Sequence, residues 1–350
     1  MVSGYVRRMR PGIRAKDIDA LCHRHGAFVL YRLPGESVQF CMAEDGRTQP
    51  HPSGRGFLIS TFEGETCFIP DERREAPSPE SFPPLSCDGG VDTATTREEY
   101  GRNFRRFSSL LHGEKPVLQK IVLARTADVA APGVSPSRSF MHACELFPDT
   151  FTVLLHTPEL GTWLFCTPEL LVEGSDSCWS TMALAGTRPL SSAPWDSKNT
   201  REQGIVADFI RAVLQRHADA VEESPTESLC NGRIEHLCTR FRFTMKAQQL
   251  PALLQELPPT PAVCGFPPEQ ARALLRDTPD INRSCYAGYF GPVSPGAARL
   301  YVALRGMRIF PDFCRLYAGG GIMPDSDEEA EWQETEQKMQ NARNTICTAN

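Results

Sequence analysis

Apolar runs of strand length recur along most of this chain, without a helix following each of them at a regular interval. The runs lie at residues 26–31, 37–41, 56–60, 120–125, 151–155 and 162–165. Successive parallel strands need long crossovers that usually contain a helix, whereas antiparallel strands can be joined by short turns. The irregular order therefore predicts an α+β protein built on large antiparallel β-sheets.

Helical patterns stand at three places between and after these runs. One opens at residues 95–99 with Thr95 or Thr96 as the N-cap, a second covers residues 198–221, and a third covers residues 327–346. The last has acidic residues at its N-terminal end, as the helix dipole favours. Residues 300–305 and 315–318 are expected to form a hairpin that turns near residues 310–312.

The charge and the apolar pattern exclude several classes of protein. The net charge is −6 and no basic stripe occurs, so we expect no nucleic-acid partner. The basic run at residues 7–10 leads into Pro11 rather than an apolar segment, which does not fit a secretory signal. Because no stretch of 18 apolar residues exists, we expect no membrane span and a soluble, cytoplasmic protein.

Thirteen cysteines are scattered along the chain, and none belongs to a C-x-x-C pair. A disulfide framework or a zinc site would need an ordered spacing. We expect most of these thiols to be small buried apolar groups. The proline-rich stretch between Pro70 and Val91 contains four prolines in eight positions, from Pro77 to Pro84, and predicts a linker or a long surface loop.

The third helical segment carries the first group of chemically informative residues. Glu331, Glu334 and Lys338 share one helix face because their spacings are three and four residues. Gly319, Gly320 and Gly321 precede this helix and would let a ligand approach the backbone N–H groups closely. Together they suit a hard metal ion and an anionic ligand. A solvated acidic helix after a flexible turn explains the same spacing.

Other segments are uninformative on their own. Glu202 in the second helical segment has the pattern of a surface glutamate, and residues 183–188 read as a strand ending in a small-residue turn. The glycine run at residues 319–321 lacks the strand–loop–helix context of a dinucleotide site, and no P-loop occurs.

Eight blocks of the chain are informative when they are read together. They are K-I-V-L-A-R at 120–125, T-P-E-L-L at 167–171, L-A-G-T-R at 184–188, P-T-P-A at 259–262 with C-G-F-P at 264–267, R-S-C-Y-A-G at 283–288, V-A-L-R at 302–305, L-Y-A-G-G-G-I at 316–322, and E-W-Q-E-T at 331–335 followed by Lys338. In this order the blocks resemble the chorismate-utilising enzyme family, and the resemblance covers roughly residues 95–346. This family includes isochorismate, salicylate, anthranilate and aminodeoxychorismate synthases.

The resemblance implies an architecture and a domain plan. Two large antiparallel β-sheets should pack as a core with helices outside, and the active site should lie between the sheets. Residues 1–90 should form a variable, β-rich N-terminal part that completes the sheets, and residues 91–350 the chorismate-binding catalytic domain. A monomer is the expected state.

The resemblance also implies a magnesium site and a substrate site. Glu202 and Glu334 match the Mg²⁺ carboxylates, and Glu331 lies close to them in the motif. Arg305 and Lys338 match the groups that hold the enolpyruvyl carboxylate of chorismate. The remaining substrate contacts implied by the resemblance are Gly186, Thr187, His236, Ala262, Tyr317, Gly319 and Gly320.

The nucleophile distinguishes the branches of the family. Aminodeoxychorismate synthases carry a lysine where this chain has Ala185, and anthranilate synthases normally carry glutamine where it has Lys120. Both differences favour water as the nucleophile. Lys120 is then the expected general base, acting in its neutral form, and Glu169 the expected general acid, with its pKa raised by burial near other carboxylates.

These assignments predict an isochorismate synthase, most similar to the short enzymes of menaquinone biosynthesis, although a siderophore pathway would use the same reaction. Salicylate synthase, which goes on to eliminate pyruvate, is the alternative, and a non-catalytic chorismate-binding homologue is a further one. The chain departs from the family pattern at Gln203, Pro258 and Asn282, which replace a His, a His and an Asp.

Overall fold

Two antiparallel sheets form the centre of the computed structural model, which describes residues 14–73, 75–84, 93–114, 116–191, 193–231, 234–277 and 279–348. The first sheet has eight strands and the second has nine. This arrangement confirms the α+β prediction.

The first sheet places the C-terminal strands at its centre. Its spatial order is β13 (Gly265–Phe266), β5 (Lys120–Ala130), β17 (Phe313–Ile322), β16 (Gly306–Ile309), β7 (Gly161–Thr167), β6 (Phe151–Thr157), β1 (Phe28–Arg32) and β2 (Gln39–Met42).

The second sheet mixes strands from all parts of the chain. Its order is β10 (Ala220–Glu223), β12 (Ile234–Thr244), β9 (Cys178–Pro189), β8 (Leu170–Ser175), β15 (Ala297–Val302), β14 (Tyr289–Ser294), β3 (Gly56–Ser60) and β4 (Thr66–Pro70), with β11 (Glu227–Asn231) paired to β12.

Seven α-helices accompany the sheets in the parts of the chain that the structure describes. They are α1 (Ala15–Leu21), α2 (Arg97–Ser109), α3 (Pro136–Leu146), α4 (Ser197–His217), α5 (Leu250–Glu256), α6 (Pro268–Asp277) and α7 (Glu328–Arg343). None of the helices in the described residues is long and apolar enough to cross a membrane.

The β6 strand shows how the core is divided. All seven of its residues are buried. Val153 and Leu155 point into the large core between the sheets, whereas Leu154 joins a smaller core with Phe140 of α3 and Met339 of α7. Because successive strand residues face opposite sides, a strand covered on both faces reads as a continuous apolar run.

Helix starts agree with the sequence patterns better than helix ends do. The Thr96 hydroxyl accepts from the Glu99 N–H, and the Glu99 carboxylate accepts from the Thr96 N–H, so the predicted N-cap is a complete capping box. The predicted helix at 198–221 is too long at its end. It stops at His217, and Ala220–Glu223 form β10 because they pair with β12.

The predicted hairpin at 300–305 and 315–318 is wrong in its first strand. β15, which ends at Val302, pairs with β14 and β8 in the second sheet. The strand that forms the hairpin with β17 is β16. Arg305 lies between β15 and β16 with φ 55°, a left-handed conformation that lets the chain leave the second sheet and enter the first.

The first part of the chain supplies strands to both sheets. β1 pairs with β6 in the first sheet, and β3 pairs with β14 in the second. The proline-rich stretch contains a single 3₁₀ turn at Pro79–Ser81, and its residues 85–91 lie outside the described part, as does the basic run at residues 7–10. The boundary at residue 90 stays a prediction. The described cysteines form no disulfide with one another.

Candidate active site

A small cavity between the two sheets brings together most of the predicted site residues. It encloses about 60 Å³. The predicted residues that line it are Glu169, Gly186, Thr187, Glu202, His236, Ala262, Arg305, Tyr317, Gly319 and Lys338. Ligand sites usually measure roughly 300–1,000 Å³, so a ring with two carboxylates can enter only if wall side chains move.

The other predicted residues lie directly behind this wall. The Lys120 ammonium is 2.9 Å from the Glu202 carboxylate, and Glu334 is 2.6 Å from the Lys338 ammonium. Glu331 faces the backbone at Gly320, where an added Cβ would lie 2.8 Å from its Oε2. Each predicted site residue therefore either lines the cavity or is separated from it by no more than one or two other residues.

The glycine segment reaches the cavity because the sheet opens beside it. β16 pairs with β17 only as far as Tyr317, whereas β5 follows β17 on the other side to Ile322. One edge of residues 318–322 is thus left without a strand partner in the described residues. Lys338 uses this edge, since its ammonium donates to the Gly319 carbonyl oxygen at 2.9 Å.

Glycine is required here because carboxylates approach the backbone closely. A Cβ at position 321 would lie 2.1 Å from Glu202 Oε1, and a Cβ at Gly320 would meet Glu331. Both distances are shorter than a carbon atom tolerates, so the glycines keep space for the acidic side chains.

Each of the three predicted metal carboxylates is paired with a lysine. The pairs are Lys120 with Glu202, Lys198 with Glu331, and Lys338 with Glu334. The Lys120 ammonium is buried and is badly aligned for a hydrogen bond to its partner. Within the described residues, no three Asp, Glu, His or Cys side chains converge as a ready ligand group. The carboxylates are therefore close to one another, but each of them forms an ion pair with a lysine.

The carboxylates differ in their ease of ionisation. Burial opposes ionisation of Glu202, but the charges of Lys120, Lys338 and Lys198 outweigh it and hold the pKa of Glu202 below its ordinary value. Burial and the neighbouring Glu334 raise the pKa of Glu331 to about 7. The pKa values of these two acidic side chains shift in opposite directions. This indicates a site in which the nearby lysines compensate only part of the negative charge.

The predicted rise in the pKa of Glu169 is confirmed, but one predicted cause is wrong. Burial raises the pKa of Glu169 to about 8. The neighbours that act on it are the cations Lys120, Arg305 and Lys338, which oppose the rise, rather than other carboxylates. Glu169 is therefore mainly protonated at neutral pH because it is cut off from water.

Arg305 presents an unused donor to the cavity. Its Nη2 donates to His236 Nε2 at 2.8 Å, whereas its buried Nη1 has no hydrogen-bond partner. His236 must therefore carry its proton on Nδ1, which donates to the Gly186 carbonyl at 2.9 Å. Burial and the charges of Arg305 and Lys338 hold the pKa of His236 well below its usual value, so the ring is neutral. Arg305 remains available for an anion.

The departures from the family pattern have local explanations. Gln203 is buried and donates from Nε2 to the Thr239 hydroxyl at 2.7 Å. Asn282 is accompanied by Asp280, which pairs with Arg283 at 2.6 Å and accepts from the Ala124 N–H at 2.7 Å. A carboxylate three residues before Arg283 thus stabilises this wall of the site.

The sequence matches the family described as chorismate binding enzyme over residues 91–346. This match covers well over half of the chain. The chain belongs to this family.

Curated relatives include isochorismate synthases from bacteria and plants. The chain is 29% identical over 280 residues to isochorismate synthase MenF of Escherichia coli, covering 73% of this chain and 64% of that protein. It is 31% identical over 239 residues to a chloroplastic isochorismate synthase of Catharanthus roseus, covering 63% of this chain and 41% of that protein. The matched part thus spans less than two thirds of either relative.

Solved structures of the family share the fold. The structure of MenF, the menaquinone-specific isochorismate synthase from Escherichia coli, superimposes with a TM-score of 0.77 at 21% identity, covering 94% of this chain and 90% of that one. Anthranilate synthase component I from Streptococcus pneumoniae gives a TM-score of 0.64 at 17% identity, covering 89% of each chain. The fold of this chain is therefore shared with solved proteins that carry different names.

Two residues at the carboxylates were not predicted from the sequence. Lys198 pairs with Glu331, and the Ser326 hydroxyl donates to Glu331 Oε1 at 2.7 Å. Lys198 lies four residues before Glu202 on α4, so the i,i+4 rule signals that both share a helix face. Nothing in the local sequence signals that Lys198 reaches α7.

Replacing Gly321 by alanine is expected to disrupt the site with little effect on folding. The new Cβ would displace Glu202 and Lys120, so we expect catalytic efficiency to fall by at least about tenfold, the equivalent of roughly 1.4 kcal/mol. The measurement is kcat/KM together with the melting temperature. Gly204→Ala is the matched control, because a Cβ on this α4 residue meets nothing within 4 Å. Equal activity of both variants would contradict the prediction.

Proposed function

We propose that this protein is an isochorismate synthase, which adds water at C2 of chorismate and removes the C4 hydroxyl. The observation that carries the proposal is a small cavity between the sheets in which a protonated acid, Glu169, faces anion-binding groups, with a buried lysine, Lys120, directly behind. The resemblance of the chain to isochorismate synthases supports the choice among reactions of the family.

Chorismate carries two carboxylates, and the cavity offers separate groups for them. The unused Nη1 of Arg305 and the ammonium of Lys338 suit the enolpyruvyl carboxylate. Arginine is the better partner for a planar carboxylate because it can donate two parallel hydrogen bonds. The Tyr317 hydroxyl and the N–H group of Gly319, next to Gly320, are proposed to complete this contact, and His236, Thr187, Gly186 and Ala262 to flank the ring.

The residues present fit a divalent cation for the ring carboxylate. The candidate donors are carboxylate oxygens, which Mg²⁺ prefers. One of them, Glu331 Oε2, is buried without a hydrogen-bond partner and lies beside Gly320, whereas Gly321 lies beside Glu202. We propose that Glu202 and Glu334 hold Mg²⁺, with Glu331 close by, and that the ion neutralises the ring carboxylate when bound.

The proposed reaction is an allylic displacement in which atoms balance. Lys120 takes a proton from the attacking water as the C2–O bond forms. The ring double bonds shift, the C4–O bond breaks, and Glu169 protonates the leaving hydroxide, which departs as water. Because one water enters and one leaves, the net change is an isomerisation, and the proton gained by Lys120 must return to Glu169 before the next turnover.

The ion pair between Lys120 and Glu202 links the proposed general base to the proposed metal site. Lys120 is fully buried and does not line the cavity, while Glu202 does. If Glu202 served as a ligand of the cation, its ion pair with Lys120 would weaken, and the Lys120 amine, which has no hydrogen-bond partner, would be available to the attacking water.

The deciding experiment is product analysis by HPLC and NMR after incubation of the purified protein with chorismate, with Mg²⁺ or with EDTA. We expect isochorismate in equilibrium with chorismate, and no turnover in EDTA. Salicylate with one equivalent of pyruvate would replace the proposal by salicylate synthase. Chorismate binding without turnover would indicate a non-catalytic homologue. We place the isochorismate in menaquinone biosynthesis, in line with the relatives named above.

A further inference from the structure

We infer that Lys198 and Ser326 are positioning residues that make the metal site selective for Mg²⁺ over Ca²⁺. The inference rests on the proposed magnesium site and concerns Glu331, one of its three carboxylates. Lys198 and Ser326 occupy one oxygen of this carboxylate and leave only the other for the cation.

The two oxygens of Glu331 have opposite surroundings. Oε1 accepts hydrogen bonds from the Lys198 ammonium and, at 2.7 Å, from the Ser326 hydroxyl. Oε2 is buried and has no hydrogen-bond partner, although the whole residue is only 1% exposed. A buried carboxylate oxygen without a partner is costly, and this one lies beside the open backbone of Gly320.

Both donors to Oε1 are themselves held in place. Ser326 accepts from the Met323 N–H at 2.9 Å, which fixes its hydroxyl towards Glu331. Lys198 lies in the first turn of α4, where the Asp196 carboxylate caps the helix by accepting from the Asn199 N–H at 2.7 Å. The same helix carries Glu202. Lys198 therefore keeps a fixed relation to the other proposed ligands.

The consequence concerns the number of oxygens that Glu331 can offer. Ca²⁺ takes six to eight oxygens and often binds both oxygens of a carboxylate, whereas Mg²⁺ requires a compact octahedron and keeps several waters. Because Oε1 is occupied, Glu331 can bind through Oε2 alone or through a water. That restriction suits Mg²⁺ and denies Ca²⁺ a bidentate ligand.

The test is direct cation binding, which needs no turnover. Chelator-treated wild type, Lys198→Met and Ser326→Ala are titrated with MgCl₂ and with CaCl₂ by calorimetry. In both variants we expect the ratio of the Ca²⁺ Kd to the Mg²⁺ Kd to fall, by about tenfold or more for Lys198→Met. Lys16→Met is the matched control, because Lys16 is exposed on α1, and its ratio should equal that of wild type.

The outcomes separate selectivity from simple charge removal. Loss of one positive charge near the site strengthens binding of both cations by a similar factor, so it leaves the ratio unchanged. An unchanged ratio in both variants, with wild type binding Mg²⁺ normally, overturns the inference and leaves the proposed function intact. Wild type that binds neither cation overturns the magnesium site itself. Melting temperatures of the variants establish that each is folded.

Discussion

Replacement of Lys120 by glutamine is expected to lower kcat for chorismate isomerisation by about 10²–10⁴-fold, the usual contribution of a positioned general base. Glutamine can still donate to Glu202 but cannot accept a proton from water. KM should change little, because the groups proposed to bind the substrate are untouched. The measurement is steady-state kinetics with isochorismate as the product.

Glutamine keeps a hydrogen-bond donor beside Glu202, which alanine and methionine do not. Lys120 is fully buried and neutralises Glu202, and an unpaired buried carboxylate would cost about 3–5 kcal/mol. An alanine or methionine variant would therefore confuse instability with a lost base. If Lys120→Gln is folded, binds Mg²⁺ as wild type does and keeps more than about a tenth of kcat, Lys120 is not the base. Lys16→Gln serves as the control for the loss of a surface lysine.

The fold was predictable where strand patterns were strong. The apolar runs that became β1, β5, β6 and β7 were recognised because each strand is largely buried and lies between turn-forming residues. The pairing of strands was not predictable in the same way. Arg305 has an ordinary sequence context, but its left-handed backbone divides one apolar stretch between two sheets, and only tertiary packing determines that.

The site was predictable as a set of residues but not as a set of contacts. The family resemblance pointed to Glu169, Glu202 and Arg305, and the structure brings all three to one cavity. The pairing of Glu334 with Lys338 is an i,i+4 contact within α7, whereas the pairings of Glu202 with Lys120 and of Glu331 with Lys198 depend on how α4 meets β5 and α7. Such contacts between distant elements leave no local spacing in the sequence, which is why Lys198 was missed.

Replacement of Glu169 by glutamine is the second change for which we expect a large effect. The amide cannot protonate the leaving hydroxide, so kcat should fall by about 10²–10⁴-fold. In wild type the protonated carboxyl is the active form, and its pKa is about 8. The kcat/KM of wild type should therefore fall as the pH rises through about 8. The residual kcat/KM of Glu169→Gln should not fall in this pH range.

The pH dependence of protein stability gives an independent measure of the pKa of Glu169. In the unfolded chain Glu169 ionises near its ordinary pKa of 4.5, whereas in the fold it does so at about 8. Between these values the unfolded state loses the proton and the native state keeps it. The raised pKa thus contributes stability that is fully present below pH 4.5 and is lost as the pH rises to about 8, at no more than about 1.4 kcal/mol per pH unit.

Glu169→Gln has no such proton to lose, so its free energy of unfolding should rise relative to wild type between pH 5.5 and pH 8. Urea denaturation of both proteins at these two pH values measures the difference. Glu173→Gln, on β8 four residues after Glu169 and half-buried, is the matched control and should show no comparable pH-dependent gain. A constant difference between Glu169→Gln and wild type would mean that Glu169 is ionised in the fold. An ionised Glu169 cannot be the acid that releases the C4 hydroxyl, and the proposed mechanism would then need a different proton donor.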